Sequence, residues 1–279
     1  MIQQLTENVF VETGIVACNL GLVTTREGVV IIDTPMRPIE AVRWRGEVEK
    51  RGKIQYLINT EEHVDHVSGD YFFPGVYVSH EETRNKLMNT PASEFKERIK
   101  RTDQASLPLI ENYKVRLADI TFNKQLDLYL GGLTFKLFHL PGHVPGGIGI
   151  YIPEEKVVFT GDIIFHKVKT WLHEADPDKW LDSLKKVEAL GADFVVPGHG
   201  PLCEKGYIQN EADIVRNWSE LVRSAVERGL SLEEARAQIS CPDPYPIQAG
   251  VHMTGPEVDN LIIANLYALN KSGRAAGAE

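Results

Sequence analysis

The alternation of apolar and polar positions divides the chain into short strands and amphipathic helices. An apolar stretch opens at Val9 and runs to Thr13, a second spans Leu20–Thr24, and Arg26-Glu27-Gly28 turns into Val29–Asp33. The last is apolar without interruption up to its Asp, the pattern of a strand covered on both faces. Thr34-Pro35 ends it, and Pro38 to Arg51 carries an amphipathic helical pattern that stops at Gly52. Strands at Ile54–Ile58 and Val76–Ser79 then predict βα units, with functional loops at the carboxyl ends of the strands. Residues 80–112 are polar and helix-prone, His80–Met88 and Ser93–Arg101 being separated by Asn89-Thr90-Pro91. An insertion of this kind predicts a lid, a pocket wall or a surface elaboration.

From 120 to 160 the pattern changes to strands at Ile120–Phe122, Gln125–Leu130, Leu133–His139, Ile148–Ile152 and Lys156–Thr160. Gly131-Gly132 between two alternating runs marks a hairpin. A helix follows over Pro177–Leu190, with Asp176 as its N-cap and Gly191 at its end, then a strand at Phe194–Val196. Beyond 203 the chain reads as helical, at Glu204–Arg228, Ser231–Ile239 and Pro256–Leu269, before a tail Ser272–Glu279 that is expected to fray. Two β-rich halves emerge, about 1–80 and 115–200, and no repeat of solenoid period.

Composition narrows the class of protein without selecting a function. With 279 residues the chain is long enough for one large α/β domain or two small ones, and 43% hydrophobic and 25% charged is the make-up of an ordinary soluble globular protein. A net charge of −9 argues against a phosphate-backbone binder, so no nucleic-acid partner is expected. No apolar run approaches the roughly 20 residues of a membrane span, so no membrane partner is expected either. Cys18, Cys203 and Cys241 are far apart and odd in number, and MIQQLTENVF lacks the basic start and apolar core of a leader. These features predict a reduced, cytoplasmic protein.

Chemistry enters at Asn59-Thr60-Glu61-Glu62-His63-Val64-Asp65-His66, directly after the strand Ile54–Ile58. Two imidazoles and three carboxylates in six residues are costly at a strand end unless something positive binds them. A divalent metal is the economical partner, since His, Asp and Glu are ligands for zinc, iron or manganese. Three further motifs follow apolar runs and place a ligand-type residue among glycines. They are Leu140-Pro141-Gly142-His143, Phe159-Thr160-Gly161-Asp162 and Val196-Pro197-Gly198-His199. Each alone is a turn signal; their order after the carboxylate-and-His cluster is specific.

In this ordered set the chain resembles the metallo-β-lactamase superfamily of metal-dependent hydrolases, over about residues 8–202. The resemblance implies an αβ/βα four-layer sandwich over 1–203, and the helical pattern of 204–279 predicts a C-terminal extension packed on it. It also implies two divalent metal ions, zinc first and iron or manganese as alternatives. By the family pattern His63 and His143 belong to the first site, Asp65, His66 and His199 to the second, and Asp162 bridges them. Asp33 becomes a supporting residue that orients a ligand or the loop. Glu61 stands where the family has the first His of HxHxDH. Its carboxylate either ligates, completing the first site as two His and one carboxylate, a set shared by zinc hydrolases and non-haem iron oxygenases, or turns away and leaves that site weak or empty. Glu62 is expected to point outward.

The implied activity is hydrolysis of a small ester, thioester, lactone, lactam or related small-molecule substrate by a metal-activated hydroxide, with Asp65 orienting that hydroxide or moving its proton. Alternatives are an iron oxygenase, a β-lactamase, a phosphodiesterase and a non-catalytic metal-bearing binding protein. His166, His173 and His252 are candidates for the substrate pocket, as are Trp171, Tyr207 and Trp218 for its apolar lining. The apolar faces of the helices after 203 predict either docking onto the sandwich or a homodimer interface.

Overall fold

The computed structural model describes residues 2–203, 206–248 and 252–276, and of 273–276 the backbone only. Seven strands form the first sheet in chain order: β1 (Ile2–Gln4), β2 (Val9–Glu12), β3 (Leu20–Thr25), β4 (Gly28–Ile32), β5 (Ile54–Ile58), β6 (Val76–His80) and β7 (Ile120–Phe122). The first four pair antiparallel across short turns. From β4 to β7 the pairing is parallel, because helices make the crossovers. Helix α1 (Pro38–Glu49) joins β4 to β5, and the short α2 (Val64–Val67) follows β5. The insertion after β6 folds as α3 (Glu81–Asn89) and α4 (Ala92–Thr102).

The second sheet holds β8 (Gln125–Leu130), β9 (Leu133–His139), β10 (Ile148–Ile152), β11 (Val157–Phe159) and β12 (Phe194–Val196), in the order β12-β11-β10-β9-β8. The β8–β9 turn has Gly131 at φ +53° and Gly132 at φ +95°, the left-handed pair that a two-residue hairpin needs. Helix α5 (Pro177–Ala189) precedes β12, and Asp176 caps it by accepting from the Lys179 N–H, an interaction that contributes about 1 kcal/mol. Three helices complete the chain: α6 (Tyr207–Glu227), α7 (Leu232–Gln238) and α8 (Gly255–Ala276).

Two expectations need correction. Ile120–Phe122 belongs to the first sheet, not the second half, because the α3–α4 insertion is a crossover that returns the chain parallel to β6. The tail from Ser272 continues α8 to Ala276 instead of fraying there. The expected helix start at Glu204 lies outside the described residues, as do 277–279.

The layers follow from the burial pattern. Val30, Ile32, Ile58 and Val78 of the first sheet meet Phe135, Leu137, Ile150 and Phe159 of the second in a core between the sheets. Ala41, Trp44 and Val48 of α1 cover the outer face of the first sheet. Trp180, Leu184, Val215, Trp218, Ile262 and Leu266 join Val158 and Val195 in a core outside the second. Each fully buried aliphatic side chain contributes about 1.5–3 kcal/mol of transfer free energy, so both faces of each sheet are strongly specified. This is the four-layer sandwich implied by the sequence, with helices after 203 sharing a core with α5. Among the described residues no helix is long and apolar enough to cross a membrane.

Candidate metal centre

Strands β4, β5, β11 and β12 all deliver their carboxyl ends to one edge of the sandwich, and the loop between β9 and β10 joins them. Glu61 to His66 leave β5, His143 sits between β9 and β10, Asp162 follows β11 and His199 follows β12. The two sheets thus contribute ligands from opposite sides. Asp33, at the end of β4, adopts the left-handed region at φ +55°, an uncommon conformation for a residue with a Cβ. That turn aims its carboxylate at the exit of β5. Oδ1 accepts from the Thr60 N–H at 2.7 Å, and Oδ2 accepts from Thr60 Oγ1 at 2.7 Å and lies 2.9 Å from His66 Nδ1.

Asp162 lies centrally. Its Oδ1 is 3.3 Å from His66 Nε2, and its Oδ2 is 3.5 Å from His143 Nε2 and 3.2 Å from His199 Nε2. Gly198 permits this approach, since a Cβ there would collide with Asp162 Oδ1. Asn19, at the start of β3, donates to the carbonyls of Pro197 and Gly200 at 2.9 and 2.8 Å and fixes the loop carrying His199. Asp65 Oδ2 lies 3.3 Å from His199 Nε2. Two ligand-type sets result: Glu61, His63, His143 and Asp162 in one, and Asp65, His66 and His199 in the other. The atoms of each lie within 4.8 Å of one another.

Glu61 is buried at the heart of this group. Its Oε2 is 2.7 Å from His63 Nδ1, and its Oε1 is 3.6 Å from His143 Nε2 and 3.5 Å from His66 Nε2. Glu62 turns away from the cluster but is buried rather than outward, with Oε2 accepting from Thr83 Oγ1 at 3.0 Å. The helix α3 of the insertion closes over it.

The imidazole orientations follow from what the other ring nitrogen touches. His66 Nδ1 is turned to Asp33, His143 Nδ1 lies 2.8 Å from the Trp171 carbonyl, and His199 Nδ1 lies 2.5 Å from Gln248 Oε1. Each N–H so directed leaves Nε2 with a lone pair facing the cluster. Gln248 is itself held, donating to the Ala17 carbonyl at 2.8 Å. His63 faces inward by Nδ1, and its Nε2 has Glu174 at 3.9 Å. Cys18 supports the loop from beneath: its Sγ–H donates to the Asp65 carbonyl at 3.0 Å, and burial pushes the thiol up to about 12.

The electrostatics indicate what the cluster is built to hold. Burial pushes Glu61 up to about 7 against the pull of His63. Burial also opposes ionisation of Asp162, but His199 and His66 more than offset it and hold the group well below the usual carboxylate range. For His199 burial favours the neutral ring, yet Asp162 and Asp65 raise it to about 10. Protons on imidazoles therefore balance the buried carboxylates. Glu61 Oε1, His66 Nε2 and Asp162 Oδ1 are buried and, among the described residues, lack a hydrogen-bond partner of good geometry. Orphaned acceptors converging on one point are the signature of a site built for cations, so the residues present fit a metal pair.

A cavity of about 710 Å³ opens from this cluster. His173, His252, Trp171 and Glu174 line it, as do side chains of α3 and α4. The ring of His173 stacks on His63 with centroids 5.6 Å apart. His166 is not a pocket residue. It is buried, with Nδ1 2.8 Å from the Pro201 carbonyl and its ring packed on Tyr207. Tyr207 and Trp218 likewise belong to the core outside the second sheet. Gln248, Glu174 and the Trp171 carbonyl were not indicated by the sequence pattern, because none stands beside a ligand in the chain.

Three comparisons bear on this geometry. The family model described as "Metallo-beta-lactamase superfamily" matches residues 13–199. Hydroxyacylglutathione hydrolases of Brucella ovis and Brucella abortus are 29% identical over 184 residues, spanning 65% of this chain and 58% of theirs. The match thus covers less than two thirds of those curated relatives. Among solved structures, a metallo-beta-lactamase family protein from Thermus thermophilus aligns with TM-score 0.68 at 17% identity, covering 97% of this chain and 95% of that one. A metallo-beta-lactamase from Pontibacter korlensis aligns with TM-score 0.59 at 19% identity, covering 78% and 99%.

Proposed function

The chain belongs to the metallo-beta-lactamase superfamily, and we propose that it is a dinuclear metallo-hydrolase of an acyl thioester or ester, with Glu61 as a ligand of its first metal. The observation that carries the reading is the convergence of Glu61, His63, His143, Asp162, Asp65, His66 and His199, most of them buried, beside the inner end of the cavity. In this assignment Glu61, His63 and His143 would hold one ion and Asp65, His66 and His199 the other, with Asp162 within reach of both. Two divalent ions there, zinc first and iron or manganese as alternatives, would supply a Lewis acid for the acyl oxygen and an acidified water.

The residues themselves do the positioning. Asp33, the Trp171 carbonyl and Gln248 fix the rings of His66, His143 and His199, so the cluster is organised before a substrate arrives. Asp65 is the proton-handling group: its side chain is 23% exposed on the cavity, whereas that of Asp162 is 6%. It orients the attacking water and passes a proton outward toward the leaving group. Trp171 and Val168 line the adjacent wall and help exclude bulk water.

The thioester preference draws on the likeness to hydroxyacylglutathione hydrolases. It is tested by presenting metal-replete protein with a hydroxyacyl thioester of glutathione and following thiol release. Metal-dependent release, abolished by a chelator, is the expected result. Cleavage of a lactam instead, with no thiol release, would move the chain to the lactamases. The two-His, one-carboxylate set of Glu61, His63 and His143 also supports a second reading, an iron oxygenase. Oxygen consumption by iron-loaded protein would select it, and a protein inert to oxygen would eliminate it.

A further inference from the structure

The proposed hydrolysis needs only a few ångströms around the metal cluster, yet the cavity occupies about 710 Å³ and reaches the α3–α4 insertion. Its far wall differs in character from its inner end. Lys86 of α3 and Glu94, Arg98 and Arg101 of α4 line it, three cations to one carboxylate; the cations are Lys86, Arg98 and Arg101. The last two stand three residues apart and so share a helix face. Phe95 and Ile99, on the adjoining face, anchor α4 in a small core with Leu87 and Tyr113. The cations are therefore presented by two packed helices, α3 through Leu87 and α4 through Phe95 and Ile99, not by a loose loop.

These three side chains make no ion pair among the described residues. Some cations elsewhere, such as Arg45, Lys50 and Arg216, pair with a carboxylate three or four positions away, and others, such as Arg43, Lys53 and Lys136, have no ion pair among the described residues. What sets these three apart is their gathering on one cavity in a chain of net charge −9. Like charges gathered around one opening repel one another and are tolerated best where a counter-charge is to be bound. At the inner end the balance is opposite, with Asp65, Asp162 and Glu174 on the cavity surface. Glu174, 3.9 Å from His63 Nε2, lies within Coulombic reach of Lys86, so the two regions adjoin.

We propose that Lys86, Arg98 and Arg101 form a second subsite that seats an anionic group of the substrate, a carboxylate or a phosphate remote from the bond that is cut. This rests on the hydrolase reading for what happens at the metals, but not for the subsite itself. The planar guanidinium forks of Arg98 and Arg101 suit either oxyanion, and Lys86 adds a point charge. The wall sets which substrates are held with their acyl carbon at the cluster. It acts on KM, since a remote anion contributes the same binding before and during the reaction.

The test uses metal-replete full-length protein and three 4-nitrophenyl esters of one chain length: hexanoate, adipate, and the analogue ending in phosphonate. The expected result is a kcat/KM for an anionic ester at least roughly tenfold above that for hexanoate, a step of 1.4 kcal/mol. The preference should reside in KM and shrink as salt is raised past about 0.1 M, where exposed charges are screened beyond about 10 Å. Whichever of adipate and phosphonate is preferred identifies the oxyanion. The variant Lys86→Gln/Arg98→Gln/Arg101→Gln should lose the preference ratio, whereas Arg98→Lys/Arg101→Lys, which keeps the charges, should retain most of it. A ratio near one in the native protein, or one untouched by the triple change, overturns the proposal. If no ester is cleaved, the hydrolase reading fails by itself, and calorimetric binding of adipate against hexanoate decides the subsite. Tighter adipate binding that is lost in the triple variant supports the wall, and equal binding sinks it.

Discussion

The two halves of the metal centre are supported differently. Around Asp65, His66 and His199 nearly every ring and carbonyl has a fixed partner: Asp33 on His66, Gln248 on His199, Cys18 on the Asp65 carbonyl, and Asn59 donating to the His66 carbonyl at 2.8 Å. Around Glu61, His63 and His143 the partners from outside the group are fewer: the Trp171 carbonyl on the His143 ring, and His173 stacked on His63. His63 has Glu174 at 3.9 Å, and among the described residues Glu61 Oε1 has no hydrogen-bond partner. The first group is preorganised by neighbours, the second by whatever it binds. Such partners typically govern metal affinity by 10–100-fold, so the Asp65–His66–His199 side should bind first and more tightly.

The largest effect should come from the residue common to both halves. Asp162→Ala removes the contact with His66, His143 and His199 together. It should cost about 4 kcal/mol of barrier stabilisation, about a thousandfold in kcat/KM, with loss of both metals by elemental analysis. Retention of two metals would break the bridging assignment. Asp33→Ala strikes one side only, freeing His66 Nδ1 and the Thr60 N–H. Metal affinity of the tighter site should fall by about 10–100-fold with the weaker site little changed, read by competition with a chromophoric chelator. Gln248→Ala is the milder version, lowering affinity by roughly tenfold, because Asp162 and Asp65 still hold the Nε2 edge of His199.

The smallest effect is a pH dependence of the metal-free protein. His199 is raised from 6.5 to about 10 by Asp162 and Asp65, against the opposing pull of burial. A group raised on folding adds stability that is complete below its unfolded value and is lost as pH climbs through the folded one. The Tm of chelator-stripped protein should therefore fall between pH 6.5 and about 10. In the metal-loaded form cations replace those protons, so the slope should flatten and metal uptake at pH 7 should release protons. Equal slopes with and without metal would contradict the electrostatic account.

Much of this centre was legible in the chain because its ligands stand directly after apolar strands and beside glycines, where spacing and residue type are both informative. Asp33, Glu61, His63, Asp65, His66, His143, Asp162 and His199 lie together at one edge of the sandwich. The supports were not legible. Gln248 reaches His199 from 49 positions away, and the partner of His143 is a backbone carbonyl, which residue identity cannot reveal. His166 shows the opposite failure: a histidine four residues after Asp162 was expected near the pocket, but it faces Pro201 and Tyr207 instead. The strand Ile120–Phe122 looked like its sequence neighbours and paired with β6, since sheet membership depends on the crossover before it. The cationic wall also escaped notice, because Lys86 lies on one helix and Arg98 and Arg101 on another.

Glu61 decides the comparison. Its buried carboxylate stands where the family has an imidazole, and in the proposed assignment its added negative charge would make a weaker Lewis acid of the ion held there. Calorimetric titration of zinc into metal-free protein, native and Glu61→His, tests this directly. The native protein should show two steps separated by at least about tenfold in affinity, and Glu61→His should shift the weaker step while leaving the tighter one in place. A single class of two equal sites in the native protein, or a weaker step unmoved by the substitution, would contradict Glu61 as a metal ligand.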